Sequence, residues 1–358
     1  MLSHDSLFDS SLSSLATLIR YNSFWKFFSS NLDSFWNELK HIMSNILPWH
    51  EPLWQQTLSR HLPHALLLYG VKGMGKSLFA QYLTKTLLCE KKQACGNCKP
   101  CKLLKANTHP DLLTIQPADI GKQISVDQIR NTIQFCSLTT KYAHYKIVII
   151  NLAEAMNRNA SNSLLKLLEE PPSNTLIMLI SHNPMVLSAT IRSRCQKLDF
   201  NRPDKKLTYN WLYERLDNQK HTSLLLNLSA QAPLAALELA NSMDKRQELF
   251  NSLMTLSAND PVKIATSWAK MEITLVLKWL LSWTADVIRY SITGQTQYLI
   301  NQDQIESLQS FSNNLNLQHL FKLLDLQQEA YQLINTNIKP QGLLESIAIA
   351  WVELKRRV

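Results

Sequence analysis

Apolar residues follow two regimes along the 358-residue chain. At residues 64–69, 112–116, 146–150 and 175–181, short runs rich in Leu, Ile and Val stand alone. Their continuity, in place of apolar–polar alternation, predicts strands covered on both faces. Helical patterns separate them, so the expected core is a parallel α/β sheet with crossover helices. Beyond Pro203 the spacing changes. Residues 272–290, 315–334 and 343–355 repeat apolar positions at helical intervals, which predicts an all-helical C-terminal part. The most apolar window, 273–283, is short and contains Lys278, so a buried helix is expected and no membrane span. Residues 1–42 fit neither regime. They form a Ser/Asn-rich stretch with interspersed aromatics such as Trp25, Phe28 and Trp36, set apart from the rest of the chain.

Size and charge narrow the classes. A chain of this length predicts two or three domains. The formal net charge of +9 permits contact with nucleic acid, yet the lysines are dispersed and do not form blocks. The N-terminus lacks a basic start, an uninterrupted apolar stretch and a small-residue cleavage site, so a cytoplasmic protein is expected.

The first apolar run ends in GVKGMGKS, residues 70–77, which fits the phosphate-loop pattern. Gly70, Gly73 and Gly75 let the backbone close around phosphate oxygens. Lys76 would balance β/γ-phosphate charge, and Ser77 would ligate Mg²⁺. Three of the chain's seven glycines lie here, a clustering that argues against chance. Hydrolysis also needs acids at the end of a neighbouring buried strand, to organise Mg²⁺ and orient water. The run at 146–150 ends instead in Asn151 and Leu152. Asn brings no charge and Leu cannot polarise a nucleophile. Glu154 is the nearest acid, and the simplest reading of it is a solvated residue in the first turn of the next helix. ATP with Mg²⁺ can therefore bind at this loop, while hydrolysis is not expected.

Four of the six cysteines, Cys89, Cys95, Cys98 and Cys101, follow a C-x5-C-x2-C-x2-C spacing. It brings four thiolates within reach of one tetrahedral Zn²⁺, with Gly96 and Pro100 shaping the turns. A reduced loop or a redox pair are the alternatives. Four sulfur ligands leave no open position, so the zinc would be structural. His109 is read as a loop or packing residue, and Cys136 and Cys195 as small buried side chains.

Two further strings, ASNSLLKLLEEPP at 160–172 and TIRSRC at 190–195, resemble the clamp-loader branch of the AAA+ proteins. ISVDQIR at 124–130 belongs to the same likeness. LPW…W with LPHALLLYG, the inserted four-cysteine module, the degraded acidic strand and NIKPQGLLESIAIAW narrow it to the delta-prime subunits of bacterial DNA polymerase III. The resemblance spans residues 43–358, densely through Arg194. It implies an AAA+ domain over 43–200, a helical lid over 201–243 and a helical collar over 244–358, with 1–42 as an extension or a mis-assigned start. It further implies a heteropentamer with gamma/tau ATPases and delta, which loads the sliding clamp onto primer-template DNA. In such an assembly Arg194 is the arginine finger reaching a neighbour's nucleotide, and this chain is a stator. Arg130 and Lys141 are candidate DNA-backbone contacts. Some members have lost the loop lysine, whereas Lys76 is retained here. An active motor of the gamma/tau type and a phosphotransferase with a zinc-stabilised lid are the other readings; the missing acids count against both.

Overall fold

The computed structural model describes residues 46–356, apart from 59–61, 120, 143, 202, 314 and 335–337. The extension expected at 1–42 lies outside the described residues. Five parallel strands form one sheet: β1 (Ala65–Tyr69), β2 (Leu112–Ile115), β3 (Lys146–Asn151), β4 (Thr175–Ser181) and β5 (Gln196–Asp199), in the order β2-β3-β4-β1-β5. Four coincide with the apolar runs. The fifth, QKLD, pairs with β1 at the sheet's edge.

Strand alternation divides the side chains between two cores. Leu66, Leu68, Ile147, Ile149, Met178 and Ile180 pack against the helix α2 (Lys76–Leu88), the turn Pro48–His50 and helix α1 (Glu51–Leu58). Leu67, Val148, Ile150, Ile177 and Leu179 face the opposite side. There they meet α4 (Val126–Ser137), α5 (Arg158–Glu169) and α6 (Ala189–Arg194); a short α3 (Lys99–Lys105) precedes β2. Double coverage explains why these strands read as continuous apolar runs. Local signals set the helix starts: Ser125 and Gln128 form a capping box on α4, and Asn157 caps α5.

After β5 the chain is helical. The helices α7 (Lys205–Tyr213), α8 (Thr222–Leu228) and α9 (Pro233–Ala240) enclose a small core of Leu212, Leu225, Leu226 and Ala236. The C-terminal bundle comprises α10 (Met243–Met254), α11 (Pro261–Trp268), α12 (Ile273–Thr293), α13 (Ile305–Ser312), α14 (Leu317–Leu333) and α15 (Pro340–Arg356). Its core is built around Trp268, Trp283 and Trp351, with Phe311 stacked on Trp351 at 4.8 Å. Buried Arg246 pairs through its Nη atoms with Asp303 and with Asn301 at 2.7 Å, the partnering a buried cation requires. Among the described residues no helix is long and apolar enough to cross a membrane.

Candidate functional site

The phosphate loop leaves β1 at the carboxyl end of the sheet and opens α2, whose first N–H groups lack intrahelical acceptors. Gly73 and Gly75 adopt φ of +89° and +86°, the left-handed region that favours glycine. Both also meet close neighbours. A Cβ on Gly73 would lie 2.4 Å from Cβ of Ala235, and one on Gly75 would lie 2.5 Å from Leu47 and 2.8 Å from His50. Three segments brace the loop. Trp49 Nε1 donates to the Met74 carbonyl at 3.1 Å, and His50 Nε2 lies 2.7 Å from the same oxygen. The Val71 N–H donates to Asn201 Oδ1 at 3.0 Å, and the Leu234 N–H to the Gly73 carbonyl at 3.1 Å. Burial holds the His50 imidazole down to about 4, against a smaller upward effect of its bond to Met74.

Lys76 is buried and its ammonium donates to the carbonyls of Gly70 and Val71. Burial lowers it to about 8, and the charge of Glu154 works in the opposite direction. Ser77 is exposed on the first turn of α2. Gly70, Gly73, Gly75, Lys76 and Ser77 thus stand together around one loop.

Asn151 ends β3, half-buried, and Leu152 follows in the left-handed region at φ 55°. That turn corrects the expectation for Glu154. Glu154 belongs to the 3-10 turn Ala153–Ala155, ahead of α5, and it is half-buried. Its Oε1 accepts the His182 N–H at 2.8 Å, at the end of β4. A short turn entered through left-handed Leu152 carries the acid back toward the sheet, where the bond to His182 holds it.

The four cysteines converge. Their Sγ atoms all lie within 4.8 Å of one another, with Cys89 to Cys98 at 3.9 Å and Cys95 to Cys101 at 4.0 Å. Gly96 takes φ +74° between them, and Cys98 occupies the N-cap position of α3 without a side-chain capping bond. Burial raises the Cys89 thiol, but N–H donors from Cys95, Gln93 and Lys91 outweigh it and bring it to about 6. Burial and the neighbouring Cys98 thiol raise Cys101. Four thiols this close cannot all ionise without a cation, so the donor set could hold a metal ion, and its all-sulfur chemistry fits zinc. His109 is buried outside this cluster, accepting the Asp111 N–H at 3.1 Å. Cys136 and Cys195 are buried, and burial raises both thiols.

Arg194 ends α6, the helix leading into β5. Its Nη1 donates to the Thr190 carbonyl at 3.2 Å, and its Nη2 meets Glu169 Oε1 at 2.6 Å, at the end of α5. Arg192 turns elsewhere, with Nη1 3.1 Å from Met185 Sδ. Of the two candidate DNA contacts, Arg130 is exposed and pairs with Asp127 at 3.2 Å, while the exposed Lys141 donates its backbone N–H to buried Asp111.

A parallel sheet carrying a phosphate loop after its first strand, with a helical C-terminal region, defines an AAA+-type nucleotide-binding fold. A family model described as "DNA polymerase III, delta subunit" matches residues 50–204, and one described as "DNA polymerase III, delta subunit, C terminal" matches 240–353. The DNA polymerase III subunit delta' of Pseudomonas aeruginosa is 34% identical over 324 residues, 87% of this chain and 99% of its own. That of Bacillus subtilis is 31% identical over 327 residues, covering 88% and 97%. The chain belongs to the delta' family of DNA polymerase III subunits.

Proposed function

We propose that this chain is the stator of a clamp loader. It joins gamma/tau-type ATPases and delta in a heteropentamer, holds the assembly, and helps load a sliding clamp onto primer-template DNA. One observation carries the reading: an intact phosphate loop faces a strand end that offers Asn151 and Leu152 in place of acids. A subunit that donates chemistry to its neighbour needs the fold and not the acids. The donated group is Arg194, whose permanent charge and planar fork suit a phosphate bound by the adjacent subunit. Residues 43–200 act as the AAA+ domain, 201–243 as the lid and 244–358 as the collar that joins the subunits. Cys89, Cys95, Cys98 and Cys101 hold a structural zinc. ATP with Mg²⁺ binds at Gly70, Gly73, Gly75, Lys76 and Ser77 without turning over.

The approach of Glu154 to Lys76 favours one second reading, an active motor of the gamma/tau type. ATP hydrolysis by the purified chain, with clamp and primed DNA present, separates the two. The stator predicts no turnover by this chain and a stimulation of added motor subunits that disappears in Arg194→Ala. Turnover abolished by Lys76→Ala would establish the motor instead.

A further inference from the structure

Three acceptor atoms behind the phosphate-loop lysine are buried and have no hydrogen-bond partner among the described residues: Asn151 Oδ1, Glu154 Oε2 and His182 Nδ1. They come from three short segments brought together at the carboxyl edge of the sheet. Asn151 shares the α2 side of β3 with Ile147 and Ile149, by strand alternation. Glu154 is fixed through Oε1, which accepts the His182 N–H. The His182 imidazole hydrogen-bonds the Gly70 carbonyl, the oxygen that also receives Lys76. Donation to Gly70 through Nε2 leaves Nδ1 as an acceptor.

A carboxylate oxygen, an amide oxygen and an imidazole nitrogen, all without donors, suit ordered water, and the carboxylate's charge suits water bound to a cation. At present Lys76 supplies the opposing charge for Glu154, from a position hooked onto the loop's own carbonyls. A triphosphate seated in the loop would draw that ammonium onto its oxygens. Glu154 would then keep a half-buried charge without compensation, and a divalent ion carried on the phosphates restores it. Mg²⁺ suits this arrangement because it retains several waters and is held by substrate phosphates with only one or two carboxylates.

We propose that Glu154, with Asn151 and His182, forms the metal end of a Mg²⁺–nucleoside triphosphate site, in which Glu154 accepts hydrogen bonds from metal-bound water. The carboxylate stands three residues beyond the place where the strand-end acid is missing, reached through the left-handed Leu152. The inference rests on reading the loop as a live nucleotide site and is independent of the arginine donated to a neighbour. No bond is made or broken in it: the site holds its ligand.

Titration calorimetry of ATP into the full chain, in Mg²⁺ and in EDTA, tests this with Glu154→Gln. Glutamine keeps an Oε1 acceptor for the His182 N–H, so the turn is retained, and a matched thermal unfolding midpoint verifies that. Wild type should bind ATP at least about tenfold more tightly with Mg²⁺, the size expected for an outer-shell metal contact. Glu154→Gln should lose that gain while binding ATP in EDTA as well as wild type or better. An equal Mg²⁺ gain in the variant, or no ATP binding by wild type, overturns the proposal. Stimulation of added motor subunits by the same preparations tells the two readings apart: if it persists without ATP binding, the metal site fails and the stator stands.

Discussion

Arg194 Nη2 lies 2.6 Å from Glu169 Oε1, so the arginine proposed to serve a neighbour is docked on its own chain. Both side chains are partly exposed, at 33% and 48%, and such a pair contributes at most about 1 kcal/mol. The contact orients the guanidinium at little cost to its release. Arg194→Ala should therefore leave the unfolding midpoint nearly unchanged and lower turnover at the junction it serves by about a thousandfold. Glu169→Gln should preserve that turnover. Steady-state ATPase assays of the assembled complex read both.

The contact between Gly73 and Ala235 predicts a stability effect at the phosphate loop itself. Gly73→Ala places a methyl 2.4 Å from Cβ of Ala235 on a backbone at φ +89°. The left-handed conformation alone costs about 1–2 kcal/mol, and the overpacking adds about 1–3 kcal/mol. A lowered urea midpoint is expected. Pairing the change with Ala235→Gly should recover only part of the steric share, because the backbone N of residue 235 still lies 2.6 Å from the added methyl.

His50 predicts a pH effect of definite sign. Its folded value is about 4, against 6.5 ordinarily. As pH falls, the unfolded chain takes up the proton first, so stability from this group is complete above 6.5 and is lost between 6.5 and 4. The difference amounts to about 3 kcal/mol. Thermal melts over that range should show a shallower pH slope for His50→Gln than for wild type.

The cysteine cluster predicts one zinc per chain, released by a chelator and lost in Cys98→Ser. Metal analysis of protein purified without added zinc checks the first, and a fall in melting temperature on chelation checks the coupling to folding. An unchanged melt after complete zinc removal would show that the module folds without metal.

Much of this was legible in the sequence wherever the signal is local. Ile147 to Ile150 declare a doubly covered strand because every position is apolar, and the glycine and cysteine spacings announce their loops. Strand β5 was not legible: at the sheet edge only Leu198 is buried in QKLD, too little for a pattern. The bracing of the loop was equally hidden. Met74 is held by Trp49 and His50, Val71 by Asn201 and Gly73 by Leu234, contacts across spans that no window along the chain includes. Glu154 misled for a related reason, since its direction depends on a left-handed turn at Leu152, a residue type that gives no warning of one.

The joint at Gly73 is made by a backbone N–H and a methyl group, with no charge on either side. From there the chain runs through α9 into a bundle whose longest described helix, α12, has 21 residues, about 32 Å at the usual rise. Leu275, Lys278 and Trp279 in the first half of that helix line one cleft with Lys72 and Ala235, so the bundle meets the joint directly. Glycine and alanine leave almost no gap between them, so small residues become the source of mechanical precision.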